Sequence, residues 1–158
     1  MEEFEKCPVL RHRINLLQGA EAWQSTTYLD GGEKHMIADK AIDGKVEGIH
    51  NCAHTYNGFS YWAVEFGTPG PVKSVQIMLR RDCCYERHTN FTVTVAYSRD
   101  DVINDAGTKC GSYFGPAIDK EPFSITINCT NTIFGKFLKI KHESTEMMAL
   151  CEVYVNTP

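Results

Sequence analysis

The sequence predicts an all-β protein built as an antiparallel β-sandwich, and three observations support that prediction. From residue 61 onward the chain is a series of short runs rich in β-branched and aromatic residues. Two of these runs alternate apolar and polar side chains, as half-buried antiparallel strands do. Clusters of Gly, Pro, Asn and Asp separate the runs, and these residues favour turns. Because 158 residues suffice for one domain with a hydrophobic core, we expect a single domain.

Six runs are assigned to strands, in chain order YWAVEF (61–66), KSVQIMLR (73–80), FTVTVAY (91–97), FSITINC (123–129), KFLKIKH (136–142) and CEVYVN (151–156). FTVTVAY alternates strictly and KFLKIKH nearly so, while GTPGP and GPAIDKEP act as separators. A short helix is favoured only at MIADKAIDG (36–44), where Gly44 would end it. We expect an N-terminal arm at 1–13 and the folded domain at 14–158.

Composition and charge exclude several classes of protein. Apolar residues make up 42% and charged residues 23% of the chain, as in ordinary globular proteins. The formal net charge of -4 leaves no overall basic field to recruit nucleic acid or an anionic membrane. No stretch is long enough to span a membrane. A nucleic-acid partner and membrane insertion are therefore not expected.

The seven cysteines indicate disulfide bonds and an oxidising compartment. None of them is spaced as in a CxxC zinc motif; they are Cys7, Cys52, Cys83, Cys84, Cys110, Cys129 and Cys151. Disulfides persist in secreted and extracellular proteins, so we expect secretion. The N-terminus lacks the apolar run of a signal peptide, so we expect that a signal was removed or that the module was cut from a longer chain. The odd count leaves at least one thiol over, and the sequence permits many connectivities.

The segment LRRDCCYERH (79–88) holds the densest set of functional side chains. Arg80 and Arg87 bracket Asp82, and each guanidinium presents a rigid fork of donors that could read the hydroxyl pattern of a sugar. Asp82 would then hold an arginine in place. The alternative is a solvated salt-bridge cluster at the surface.

The adjacent pair Cys83 and Cys84 favours the sugar interpretation. Neighbouring Cα atoms lie ~3.8 Å apart, so a bond between these cysteines closes a small strained ring. Such a ring offers a polarisable apolar face against which the C–H face of a sugar could pack. The alternative is that the two cysteines bond to different partners.

These residues resemble the sugar-site motif of the F-type lectin (fucolectin) family, in which a His is followed after a long spacer by R-x-D-x4-R/K with two adjacent cysteines inside. The matching residues are His54, Arg80, Asp82, Cys83, Cys84 and Arg87, with CAHT (52–55) around the histidine. KAIDG (40–44), YWAVEFG (61–67) and LCEVYV (150–155) resemble further segments of the family. The resemblance covers about residues 14–156.

The resemblance implies a jelly-roll β-sandwich, similar to galactose-binding and discoidin-like domains, that acts as a non-catalytic lectin. His54, Arg80 and Arg87 would bond the ring oxygen and the 3- and 4-hydroxyls of α-L-fucose, with Asp82 orienting the arginines and the cysteine ring under the sugar. Tyr28 is a candidate for contact with the fucose methyl or the next sugar; an ordinary loop tyrosine is the alternative. The implied partners are fucosylated glycans or glycoproteins, and the implied setting is innate or gamete recognition.

The resemblance also implies disulfides and a structural calcium ion. The pairings are Cys83–Cys84, Cys52–Cys151 and Cys110–Cys129, which leaves Cys7 free or available to link chains in a homo-oligomer. The calcium ligands would be the carboxylates of Asp43 and Glu152 with backbone oxygens of Lys40, Lys45, Asn51 and Cys151, since oxygen ligands suit a hard cation. A solvated Asp and a salt-bridged Glu are the alternative.

The residues also permit three other functions. Asp82, Glu86 and His88 could form the acid/base set of a glycosidase, and Cys83 with His54 could serve a thiol enzyme. A discoidin-like adhesion module would instead bind protein or lipid through loop tips, for which loop 25–35 offers Tyr28 and Leu29.

Overall fold

The computed structural model describes residues 15–29, 36–45, 52–117 and 123–158, and most of its regular structure is antiparallel β-sheet. The strands are β1 Glu21–Gln24, β2 Ala53–His54, β3 Tyr61–Leu79, β4 Phe91–Ala96, β5 Thr108–Tyr113, β6 Ser124–His142 and β7 Ala149–Asn156. In these parts of the chain, helical structure consists of α1 (Arg99–Ile103) and two 3₁₀ turns at Ala38–Ile42 and Tyr85–Arg87. Each of these is far too short to cross a bilayer.

The two long strands β3 and β6 organise the sheet. They pair with each other along both halves, residues 61–65 with 137–141 and residues 74–78 with 124–128. The register shifts between these halves, and such irregularities bend a strand. The first half of β3 carries β1, and the far side of β6 carries β4 and then β5. The second half of β3 carries β7 and then β2. The long strands therefore contribute to both layers of the predicted sandwich.

The hydrophobic core lies between the layers and follows the predicted alternation. In β4, Phe91, Val93 and Val95 are buried while Thr92 and Thr94 are only partly so. The largest fully buried side chains include Trp62, Phe66, Phe91, Leu138 and Ile140. Burying each such side chain stabilises the fold by about 1.5–3 kcal/mol. The all-β fold class is thereby confirmed.

Several element boundaries differ from the sequence expectation. The segment at 67–71, predicted as a separator, lies inside β3, because a strand can carry glycine and proline where its ladder is irregular. The runs at 123–129 and 136–142 likewise belong to one strand, β6. The helix predicted at 36–44 is a 3₁₀ turn, followed by Gly44 in the left-handed conformation with φ +77°. The pattern gave no prediction for β1, β2, β5 or α1, which are short or lack apolar alternation.

The part of the chain that the structure describes contains three disulfides, with the pairings that the resemblance implied. Cys52–Cys151 joins the start of β2 to β7, and Cys110–Cys129 joins β5 to β6. The third links the neighbours Cys83 and Cys84. The predicted arm at 1–13, and Cys7 with it, lies outside the described residues.

Candidate functional site

A cleft of about 270 Å³ opens at the end of the sandwich where β3 ends and β4 and β7 begin. That volume is just below the range of drug-sized ligand pockets, so it suits a single small ring. Its lining consists of Tyr28, Met36, His54, Arg80, Cys84, Arg87 and Met147. The lining therefore includes five of the seven residues that the sequence assigned to the sugar site.

The loop between β3 and β4 positions both arginines. Arg80 directly follows β3. Arg87 is the last residue of the 3₁₀ turn, and its backbone N–H donates to the Cys84 carbonyl at 3.0 Å. Beneath the loop, buried His88 donates from Nε2 to the Arg80 carbonyl at 2.9 Å. Burial lowers the pKa of His88, so its ring is neutral at pH 7. These bonds fix the loop backbone from which both arginine side chains extend.

Arg80 is oriented by Asp82, as predicted from the motif. The Arg80 Nε and Nη2 donate to the two carboxylate oxygens of Asp82 at 2.6 and 3.0 Å. The hydrogen bond from Arg80 lowers the pKa of Asp82, so this carboxylate stays ionised. Asp82 itself does not line the cleft; its role is to hold one edge of the guanidinium and leave Nη1 facing inward.

Arg87 is held less completely. Its Nε is buried and has no hydrogen-bond partner among the described residues. The nearest carboxylate oxygen, Oε2 of Glu146, lies 3.9 Å away, which is too long for a hydrogen bond. Its Nη1 points to the sulfur of Met147 at 3.9 Å, and a thioether is a weak acceptor. Since a guanidinium carries five N–H donors, Arg87 can still donate to a ligand oxygen from the wall of the cleft.

His54 presents a hydrogen-bond acceptor to the cleft. Its Nδ1 lies 2.8 Å from the Thr55 carbonyl, which can only accept, so Nδ1 carries the proton. Burial lowers the pKa of His54, and the nearby charges of Arg80 and Arg87 lower it further. The neutral ring therefore keeps a lone pair on Nε2, 3.5 Å from Arg80 Nη1.

The position of His54 depends on contacts between distant segments. β2 pairs with β7, where His54 faces Ala149, and Cys52 two residues earlier is bonded to Cys151. The His54 N–H donates to the Met36 carbonyl at 3.1 Å, and its own carbonyl accepts from Tyr28 at 2.9 Å. The Tyr28 ring lies 4.9 Å from the imidazole, between centroids, and forms part of the cleft wall.

The cysteine ring meets the cleft through one residue. Cys84 lines it, whereas Cys83 does not, so the predicted platform is narrower than a two-sulfur face. Cys84 adopts φ +68°, an unusual conformation for a residue other than glycine, which turns the chain into the 3₁₀ turn. The apolar contribution of Met36 and Met147 was missed by sequence reasoning. No motif marks either residue, although Met147 closely precedes the family-like LCEVYV segment.

A second polar site lies under the 3₁₀ turn at Ala38–Ile42, which Trp62 anchors by donating to the Ala38 carbonyl at 3.0 Å. Glu152 is 96% buried, and its Oε2 accepts from the Gly44 N–H at 3.0 Å. Its Oε1 is buried without a hydrogen-bond partner in the described parts of the chain. Burial, with a smaller effect of the Asp43 charge, raises the pKa of Glu152 to about 7.

This pair of carboxylates fits a cation. A buried carboxylate with one oxygen unpartnered is the group that a positive ion would satisfy. Within the described ranges there is no cluster of three or more His, Cys, Asp or Glu residues suited to a metal. Backbone carbonyls would therefore have to complete the set. Among the residues implied for this role, Asn51 lies outside the described residues.

Comparison with known proteins identifies the fold and the family. Residues 40–140 match the family described as "NedA-like, galactose-binding domain". The chain is 30% identical over 146 residues to fucolectin-5 of Anguilla japonica, covering 90% of this chain and 75% of the eel protein. It belongs to the F-type lectin (fucolectin) family.

Solved structures agree with this F-type lectin assignment. The f-lectin (fucolectin) from Morone saxatilis (striped bass) serum is 28% identical with a TM-score of 0.75, over 90% of this chain and 48% of the bass chain. The F-type lectin described here thus spans about half of the bass lectin. A Streptococcus pneumoniae fucose binding module shares the fold, with a TM-score of 0.69 at 20% identity over 92% of this chain and 96% of the module.

The geometry does not favour the two enzymatic alternatives for this F-type lectin. Both carboxylate oxygens of Asp82 are engaged by Arg80, and His88 Nε2 donates to a backbone carbonyl. Cys83 is bonded to Cys84, so it offers no free thiolate for a nucleophilic mechanism.

Proposed function

We propose that this F-type lectin is a non-catalytic receptor for terminal α-L-fucose on glycans. The convergence of two arginines and a neutral histidine on one cleft carries the proposal. Arg80 offers an inward donor, His54 offers an acceptor, and the partly exposed Arg87 side chain adds further donors. The names of its relatives, fucolectins and a fucose binding module, support the choice of sugar.

Recognition follows from the donor and acceptor pattern. A hydroxyl between Arg80 and His54 would accept from the guanidinium and donate to Nε2 of the neutral imidazole, which only a group with both functions can do. Arg87 would donate to a neighbouring hydroxyl or to the ring oxygen. The walls of Tyr28, Met36 and Met147 are apolar and suit the methyl group of a 6-deoxy sugar.

Calorimetric titration with methyl α-L-fucoside tests this proposal. A site for one ring should bind with a Kd on the order of micromolar to millimolar. L-Galactose, which differs from L-fucose by a hydroxyl on C6, is the matched control and should bind about tenfold more weakly because an apolar wall disfavours that hydroxyl. Absence of fucoside binding, or equal binding of both sugars, would contradict the assignment of the cleft.

We propose in addition that a calcium ion stabilises the fold near Glu152. Glu152 and Asp43 would supply carboxylate oxygens, and Lys40, Lys45 and Cys151 backbone oxygens. Oxygen ligation suits a hard cation, and the unpartnered Oε1 of Glu152 supports a positive ion at this place. When bound, the ion would neutralise a carboxylate that is otherwise charged inside the protein.

The calcium proposal predicts a pH-dependent effect of chelation. The pKa of Glu152 is raised above its ordinary 4.5, so in the calcium-free protein the contribution of Glu152 to stability is fully present below pH 4.5 and is lost as the pH rises through about 7. Above pH 7 the ionised Glu152 should bind calcium, and EDTA should then lower the Tm by about 5–10 °C. At pH 5.5 the loss should be much smaller.

The Glu152→Gln variant is the control for the chelation experiment. Its neutral amide can still accept from the Gly44 N–H, so the variant should fold, yet it should show the same Tm with and without EDTA at pH 8. An equal chelator effect in both proteins would place the ion elsewhere. If EDTA did not change the Tm of the parent and elemental analysis found no calcium, the calcium proposal would be wrong.

We further propose that the lectin acts outside the cell, in innate or gamete recognition. Three disulfides support an oxidising compartment, and a relative comes from serum. One weak site per chain would need multiplicity, since linked sites gain roughly 10²–10⁴ in apparent affinity. Cys7, in the predicted arm, is the proposed link between copies.

A further inference from the structure

Beside the cleft, three side chains form an exposed apolar surface, which we call the tyrosine shelf: Tyr28, Leu29 and Tyr56. The Tyr28 ring has one neighbour inside the cleft, His54, and another outside it, Tyr56, with centroids 5.3 Å apart and planes tilted by 56°. Tyr56 is 40% exposed and Leu29 is 44% exposed. The shelf is therefore continuous with the cleft wall and open to solvent.

The shelf is held by bonds between two loops. The Tyr56 N–H donates to Thr26 Oγ1 at 3.0 Å, and the Leu29 N–H donates to the Tyr56 hydroxyl at 3.4 Å. On the inner side, the Tyr28 N–H donates to the His54 carbonyl at 2.9 Å. Because these bonds hold the backbone of both loops, little backbone entropy remains to be lost when a ligand packs on the shelf.

Leu29 and Tyr56 do not serve the hydrophobic core, because both side chains are exposed to solvent. An isolated exposed tyrosine would need no explanation, but adjoining apolar side chains at the mouth of a polar cleft are typical of a ligand-binding surface. Tyrosine suits such a surface because it combines a rigid apolar ring with a polar tip. The glycosidic bond of a sugar bound in the cleft must point outward, so the next sugar of the glycan would lie near the rim of the cleft.

We propose that Tyr56 determines specificity for the second sugar of the glycan, by packing its ring against the C–H face of the pyranose to which the fucose is joined. This inference rests on the proposed function of the cleft. Only certain glycosidic linkages place that pyranose against the tyrosine shelf. The shelf therefore distinguishes between fucosylated glycans of different linkage and does not affect the recognition of fucose itself.

Titration of the parent and Tyr56→Ala with methyl α-L-fucoside and with disaccharides bearing α1-2, α1-3 and α1-4 fucose tests the proposal. For at least one linkage, the parent should bind the disaccharide about fivefold more tightly than the monosaccharide. Tyr56→Ala should lose that gain while binding the monosaccharide as before. Tyr56→Phe keeps the ring and should retain most of the gain.

Phe134→Ala serves as the control, because Phe134 is 52% exposed but pairs with Pro71 in the middle of β3, away from the cleft. It should leave both affinities unchanged. If Tyr56→Ala weakened mono- and disaccharide equally, the residue would merely support Tyr28, and the proposal would be wrong. A parent that gained nothing from any second sugar would also overturn it, with the fucose site intact. A parent that bound no fucoside would overturn the proposed function itself.

Discussion

Arg87→Ala is expected to weaken fucose binding by roughly tenfold to more than a hundredfold. A hydrogen bond from a charged donor is worth about 1.5–3 kcal/mol, which corresponds to that range of affinity. The loss should be large because Arg87 lines the cleft and its contacts to Glu146 and Met147 are both long, so a ligand oxygen would be its strongest partner. Calorimetric titration with methyl α-L-fucoside measures the change directly.

Two further variants make the Arg87 result specific. Arg87→Lys keeps the charge but not the fork of donors, so it should recover only part of the affinity. Arg81→Ala removes an exposed charge from the same loop, outside the set of cleft residues, and should bind as the parent does. The thermal transition of each variant shows whether it is folded. A folded Arg87→Ala protein with parental affinity would show that the site has been wrongly assigned.

Removal of the Cys52–Cys151 disulfide is expected to cost the fold about 4–5 kcal/mol. The bond joins residues 99 positions apart, and cross-linking so long a loop restricts the unfolded chain strongly. The double variant Cys52→Ala/Cys151→Ala should therefore unfold at a much lower urea concentration. Because the bond lies two residues before His54, sugar affinity should fall at temperatures where the variant is still largely folded.

The Cys83–Cys84 bond provides the opposite case. It closes a ring between neighbouring residues, so it removes almost no loop entropy, and Cys83→Ser/Cys84→Ser should change the free energy of unfolding by less than about 1 kcal/mol. Its effect should appear in binding, since Cys84 lines the cleft. If this variant lost as much stability as Cys52→Ala/Cys151→Ala, the length of the loop closed by each disulfide would not explain the loss of stability. Unchanged fucoside affinity would show that the cysteine ring contributes nothing to the site.

Local pattern was enough to predict the fold class and most of the strands. In β4 the alternation of apolar and polar residues reflects one face on the core and one towards solvent, and the structure has that arrangement. The pattern failed where local chemistry opposes the outcome. The Gly and Pro residues at 67–71 favour a turn, yet pairing with β6 keeps them in one strand.

The polar residues that line the cleft were all predicted from the sequence. Arg80 and Arg87 are tied together by a short loop, and the family-like spacing added His54 from another part of the chain. The disulfide pairings followed from the same resemblance, since local residues alone left them open.

How these groups act depends on packing between elements. The unpartnered Nε of Arg87 and the unpartnered Oε1 of Glu152 each depend on which atoms of distant segments lie within hydrogen-bond distance. Met36 and Met147 line the cleft, and Tyr56 lies beside it, because loops far apart in sequence meet at one end of the sandwich. Sequence periodicity indicates which face of an element is buried. Whether a buried polar atom has a hydrogen-bond partner depends on the distance between atoms of neighbouring elements. That distance is set by the packing of the elements, which the sequence pattern does not give.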